Sequence, residues 1–114
     1  MIKVSQRDGW ILYLDDIRNP KDGRNWVIAR TVEEAQEMVT ENGCPKEVSL
    51  DHDLGEGLDG YAFVKWLVEK DLDDSIIPFD FKWNVHSANP VGAKNMDSML
   101  SSYMNMKRKN EKSD

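Results

Sequence analysis

The sequence predicts an α/β domain of three layers on a mainly parallel sheet of about four strands. Three observations predict it. Short aliphatic and aromatic runs alternate with segments of helical periodicity. Three of the runs break abruptly into acidic or histidine-bearing residues, as buried parallel strands do on reaching a loop. The 114 residues, 39% hydrophobic and 32% charged, suffice for one core and are too few for two. Strand–helix–strand order implies right-handed crossovers that lay helices on the sheet.

WILYL at Trp10 to Leu14 reads as the first central strand and runs into DDIRNP. NWVIAR, Asn25 to Arg30, is a shorter apolar stretch. Thr31 then caps a helix from about Val32 to Glu41, with Glu34 completing a capping box, a face of Ala35, Met38 and Val39, and a stop at Asn42-Gly43. KEVSL, Lys46 to Leu50, is the next strand and ends in DHDLGEG. Asp59 caps a helix whose stripe of Tyr61, Val64, Leu67 and Val68 reaches about Lys70, and DLDDSIIP follows as a polar connection. FKWNV, Phe81 to Val85, is a strand ending in HSANP. Asn89 and Pro90 open a last helix with Met96, Met99, Leu100 and Tyr103 at helical spacing. Residues 1–106 make the single domain, and 107–114, KRKNEKSD, make a charged, disordered tail with nothing to bury. Ile2 to Val4 is either a short edge strand or irregular.

No run approaches the roughly 20 apolar residues that cross a bilayer, and the start carries no signal-peptide core, so a cytoplasmic protein without a membrane partner is expected. Cys44 is the only cysteine, which excludes an internal disulfide and a multi-cysteine zinc site. A net charge of -6 disfavours broad nonspecific nucleic-acid binding and leaves room for a small phosphorylated ligand held through a metal.

The chemistry collects at strand ends: Asp15 and Asp16 after the first strand, Asp51, His52 and Asp53 after KEVSL, and His86, Ser87 and Asn89 after FKWNV. In an open parallel sheet such ends converge on one crevice. Carboxylates crowded there repel one another unless a cation sits among them, and hard oxygen ligands suit Mg2+ or Mn2+ better than zinc. Asp15, Asp16, Asp51 and Asp53 are the candidate metal ligands. Arg18 and Lys94 could supply positive charge to a bound phosphate. Each has a plainer alternative: turn formation for Asp15 and Asp16, capping of the Leu54-Gly55 turn for Asp51 and Asp53, solvent for His52, core for His86, a helix cap for Asn89, and a solvated surface for Arg18 and Lys94. The His52-Asp53 pair follows a strand, unlike the helical pair of HD hydrolases. The HxS/T repeats of two-histidine phosphoesterases, a Walker loop and GxGxxG are all absent. The four tryptophans and six methionines fit core and helix packing.

Taken together, the acid pair, the lone strand-end Asp with an Asp59-Gly60 step into a helix, and Ser87-Ala88 resemble the response-regulator receiver domain. That resemblance implies a flavodoxin-like fold in which Asp15 and Asp16 bind Mg2+, Asp51 accepts a phosphoryl group and Ser87 reads it. The chain departs from receivers in lacking a fifth strand with its Lys and in replacing the first helix with IRNPKDGRN. It therefore reads as a reduced receiver, whose open sheet edge is covered by the last helix or by another chain in a dimer. LDDIRNP, SLDHDLGEG, GYAFVKWL and HSANPVGAKNM, spanning Leu12 to Met96, are similar to the cyclic-phosphate-processing receiver domains of bacterial and phage genomes.

The resemblance implies a site that handles cyclic-phosphate nucleotides or RNA ends. The expectation is a hydrolase-like phosphoesterase in which Asp15, Asp16 and Asp51 hold the metal. His86 is the general acid or base, with His52 as its partner or a metal ligand. Ser87, Asn89, Lys94 and Arg18 hold the phosphate. The alternatives are a phospho-accepting receiver acting through Asp51 and Ser87, and a nucleotide-binding or protein-interaction module.

Overall fold

The computed structural model describes residues 9–112 with the exception of residue 56. The Ile2 to Val4 segment and the last two residues lie outside them. In chain order the elements are β1 (Ile11–Leu14), β2 (Trp26–Ala29), α1 (Val32–Asn42), β3 (Glu47–Leu50), α2 (Gly60–Asp74), β4 (Lys82–Val85) and α3 (Pro90–Lys112). The strands form one parallel sheet ordered β2-β1-β3-β4, with Leu14 level with Ala29 and Leu50, and Leu50 level with Val85. This is the reduced, flavodoxin-like receiver architecture.

Layering follows from the alternation of side chains along a strand. Leu12, Leu14, Val48 and Leu50 point to one face and are fully buried with Val32, Phe63, Leu67, Met96 and Leu100 from the helices. The other face carries Ile11, Tyr13, Trp26, Glu47, Ser49 and Asn84. There the layer over the sheet is the loop of residues 15–25 rather than a helix, and loop and sheet line one cleft. Arg24 fixes this loop with two 3.0 Å bonds to Glu47, and the Trp26 indole N–H donates to Asp22 at 2.9 Å.

Local signals set the helix starts. The Thr31 hydroxyl accepts from Glu34 N–H at 3.1 Å, while the Glu34 carboxylate reaches back to Arg30 N–H, one residue before the cap. Gly43 closes α1 at φ 84°, where a side chain would strain the backbone. Asp59 caps α2 by accepting from Ala62 N–H at 3.0 Å, and Asn89 caps α3 by accepting from Gly92 N–H at 3.0 Å.

Gly60 positions the strand end. Its N–H donates to His52 O at 2.9 Å, and a Cβ built on it would lie 2.1 Å from the carbonyl oxygen of Asp51. The helix thus approaches Asp51 as closely as a backbone without a side chain allows.

Two expectations change at the far ends of the helices. Residues 71–74, expected in a polar connection, continue α2, and residues 107–112, expected as a disordered tail, continue α3. The reason is Asp71. It is 4% exposed, and its carboxylate accepts from Lys107 Nζ at 2.7 and 2.8 Å, from Ile77 N–H at 2.7 Å and from the Tyr103 hydroxyl. Lys107 also donates to Ile77 O, and Arg108 donates to Phe79 O and Phe81 O. Burial alone pushes the Asp71 carboxyl up, but the bonds from Lys107, Tyr103 and Ile77 outweigh it and hold the group below its ordinary value.

Gly60→Ala should cost about 2 kcal/mol or more in urea unfolding, because the clash is with backbone that cannot turn aside. Lys107→Met should cost about 3 kcal/mol at neutral pH by leaving a buried carboxylate unpaired. A lowered folded-state pKa means the Asp71 contribution is complete above the unfolded value of about 3.9 and is lost as pH falls through the folded value. In Lys107→Met acid instead neutralises the stranded charge. The gap between the two urea midpoints should narrow between pH 7 and pH 3.

Candidate functional site

Each strand-end residue is held by a ladder that runs one step past its strand. Asp15 N–H donates to Ala29 O at 3.1 Å, Asp51 N–H to Leu14 O at 2.9 Å and His86 N–H to Leu50 O at 2.9 Å. The three residues therefore stand side by side. Alternation aims them as well: Asp15 follows Ile11 and Tyr13, Asp51 follows Glu47 and Ser49, and His86 follows Asn84, so all three take the helix-free side.

Carboxylate oxygens of Asp15, Asp16 and Asp51, one from each, lie within 4.8 Å of one another. They meet in a cleft of about 340 Å³ whose lining also includes Arg18, Asp53, Gly55 and Ala88. The donor set is all hard oxygen, a group that could hold a metal ion. Asp53 stands outside this group. Its exposed carboxylate accepts from His52 Nδ1 at 2.9 Å, and that bond holds its pKa below the usual carboxylate value.

Arg18 balances the acids. Its Nε lies 3.2 Å from Asp15 and its terminal nitrogen 3.5 Å from Asp51, while half of the side chain stays in solvent. Asp15 is fully buried, which by itself would raise its pKa. The N–H groups of Ile17 and Arg18 at 2.9 and 2.8 Å, His86 and the Arg18 charge outweigh burial and keep the carboxyl below its ordinary value. Burial and then the charge of Asp15 raise the pKa of the neighbouring Tyr13 hydroxyl.

His86 connects the cluster to the open face. Its Nε2 is 2.9 Å from Asp15 Oδ2 and its Nδ1 is 2.7 Å from Ser49 Oγ. The ring stacks on Tyr13 with centroids 4.5 Å apart and planes 7° apart. An ionised Asp15 can only accept, so Nε2 carries the hydrogen and Nδ1 of the neutral ring accepts from Ser49.

His52 does not join this group. It follows Val48 and Leu50 to the helix side, where a Cβ on Gly92 would lie 2.4 Å from its Cγ. Its Nδ1 meets Asp53 and its Nε2 is 3.5 Å from Asp59. His52 thus ties the loop after β3 to the start of α3. Asn89 shares that task, with its amide 3.4 Å from Asp53 and 3.5 Å from His52 Nδ1, and Ser87 Oγ accepts from Asn89 N–H at 3.0 Å. Ser87 and Asn89 flank Ala88 in the cleft wall. Lys94 is exposed on α3 and outside the lining of the acidic cleft.

Sequence reasoning passed over Tyr13, Ser49 and Arg30. Tyr13 and Ser49 orient His86, and strand alternation was the signal that could have found them. Arg30 pins the acid loop by donating to Asp15 O at 3.1 Å, Arg18 O at 2.7 Å and Asn19; no local pattern announces that role. Burial pushes the Cys44 thiol up to about 12, away from its reactive thiolate form. No helix among the described residues is long and apolar enough to cross a membrane.

No curated protein matches the chain. A solved chain in which amino acids 181–211 of the yeast Spc42 trimeric coiled coil are fused to another protein is 20% identical. That similarity covers 97% of this chain and 89% of that one at a TM-score of 0.45, too weak to carry an argument. The family of cyclic-phosphate processing receiver domains matches residues 10–102, the whole of the sheet and its site, and the chain belongs to that family.

Proposed function

We propose that the protein is a metal-dependent phosphoesterase that opens cyclic phosphates on nucleotides or RNA ends. The observation that carries this reading is the meeting of Asp15, Asp16 and Asp51 within 4.8 Å where Arg18 and His86 also converge. Family membership supports cyclic phosphate as the substrate class.

Asp15, Asp16 and Asp51 would hold the cation, which when bound supplies positive charge to the phosphate oxygens and to an attacking water. In the reaction the water oxygen bonds to phosphorus, one ester bond of the ring breaks, and the departing alkoxide takes up a proton. His86 is the group that moves the proton. Asp15 fixes the ring with hydrogen on Nε2, which leaves Nδ1 as the nitrogen that accepts and returns it, with Ser49 as its resting partner. Arg18 has long contacts to two carboxylates and a half-exposed side chain, and its planar fork matches two phosphate oxygens. Ser87 and Asn89 hold the wall of the cleft, and His52 positions Asp53 at its rim. The cytoplasm, where nucleotides and RNA ends are made, is the setting that goes with this chemistry.

Phosphorus NMR of the purified protein with a ribonucleoside cyclic phosphate and Mg2+ or Mn2+ should show conversion to a monoester, abolished by chelator and restored by metal. Asp51→Asn should lose turnover. His86→Gln should lose about a hundredfold or more in kcat, the usual range for a missing acid–base group. Absence of conversion with either metal would sink the reading. An acyl phosphate formed on Asp51 from acetyl phosphate would put a phospho-accepting receiver in its place.

A further inference from the structure

The acid cluster accounts for only the upper end of the helix-free face. Below it a larger cleft of about 650 Å³ runs between the sheet and the loop of residues 15–25. Its floor is Tyr13, Ser49 and Asn84, with His86 at one end and Trp26 among its lining. We propose that this cleft seats the nucleoside of the substrate, with the base against Trp26 and the ribose over Ser49 and Asn84, so that the cyclic phosphate reaches Arg18 and the acids. This rests on the phosphoesterase reading above and assigns the place in the fold where the nucleoside of its substrate sits.

Four features of the cleft carry the assignment. The two clefts are continuous: Arg18 lines both, and His86 lines the larger one while bonded to Asp15 in the smaller. The length matches. Trp26 is level with Ile11 and Glu47, and Asp51 stands four residues further along β3 than Glu47, which at about 3.3 Å per residue makes roughly 13 Å from the base end to the phosphate end. The volume falls within the range of about 300–1,000 Å³ of small-molecule sites.

The lining chemistry is also that of a nucleotide rather than of a protein partner. In a chain of net charge -6, Arg18, Lys21 and Arg24 outnumber Asp22 and Glu47 on this one cleft. Trp26 is half-buried, with the Arg24 guanidinium 5.0 Å from its ring centre and the Tyr13 ring edge-on at 5.8 Å. A flat ring beside a guanidinium suits a base, which stacks through its π-face whatever its hydrogen-bonding pattern. Asn84 and the Ser49 hydroxyl keep the floor polar, unlike the apolar groove that an amphipathic helix requires.

The test uses the full chain and two cyclic phosphates, a ribonucleoside cyclic phosphate and glycerol cyclic phosphate, which carries no base or ribose. By kcat/KM the nucleoside compound should be preferred by about tenfold or more, a modest return for one base–aromatic contact. Trp26→Ala should remove that preference. Because Trp26 packs on Tyr13, Asn84→Trp is the second variant: Asn84 is exposed on β4, and the larger ring fills the cleft without entering the core. It should bring the two substrates to near equality. Calorimetric titration of the nucleoside compound into the metal-free protein gives a readout apart from turnover, and its binding should be lost in Asn84→Trp. Binding of this kind without turnover would uphold the cleft and reject the phosphoesterase reading. Turnover without preference for the nucleoside compound, or Asn84→Trp retaining the full preference, would overturn the cleft and leave the phosphoesterase reading standing.

Discussion

A parallel strand pair joined through a helix closes with one hand, and in a sheet ordered β2-β1-β3-β4 that rule sends α1 and α2 to the same face. α3 leaves the end of β4 and packs beside α2, so it joins them. The connection from β1 to β2 runs the other way across the sheet and must pass over the opposite face. Because that connection is the loop of residues 15–25 and not a helix, the opposite face keeps a cleft lined by Tyr13, Ser49, Asn84 and His86. Handedness therefore decides which side of the crevice opens.

The same loop bears the electrostatic cost of the site. Asp15 is fully buried, and Asp51 is 4% exposed beside it, an arrangement that repels until charge is returned. Arg18 returns it from within the loop, backbone N–H groups add to it, and Arg30 holds the loop so that both contributions point inward. Arg18 also occupies the position that a cation or phosphate would compete for. Its half-exposed side chain lets it yield that position without unfolding anything, which a buried partner such as Lys107 could not do.

Much of this was legible in the sequence. The strands, the caps at Thr31, Asp59 and Asn89, and the acid pair followed by Asp51 are local signals, because hydrophobic runs and capping side chains act within a few residues of where they stand. The covering of the two faces was carried by a signal that went unused: EVSL and KWNV alternate polar with apolar residues, the pattern of a sheet with one open face, whereas WILYL hides it by placing Ile11 and Tyr13 there. That alternation also separates His86 from His52, since one follows Asn84 and the other follows Leu50. The Asp71–Lys107 pair was illegible. Its partners lie on different helices, and each looked like part of a solvated charge run until the fold buried both.

The two charged clusters divide the molecule. α2 and α3 both run away from the strand ends that bear the acids, so Asp71 and Lys107 meet beside the loop of residues 75–81 that feeds the start of β4, at the far edge of the sheet. There the charges are paired, every buried polar side-chain atom among the described residues has a partner, and the ends of both helices are tied to one turn. At the strand ends, among the described residues, Asp15, Asp16 and Asp51 outnumber the arginine that faces them, Arg18. Crowded like charge is tolerated in a small domain when satisfied contacts elsewhere make up the difference. A domain with one core and no disulfide has few places to find such contacts, and here they stand at the opposite end of the same two helices from the acids.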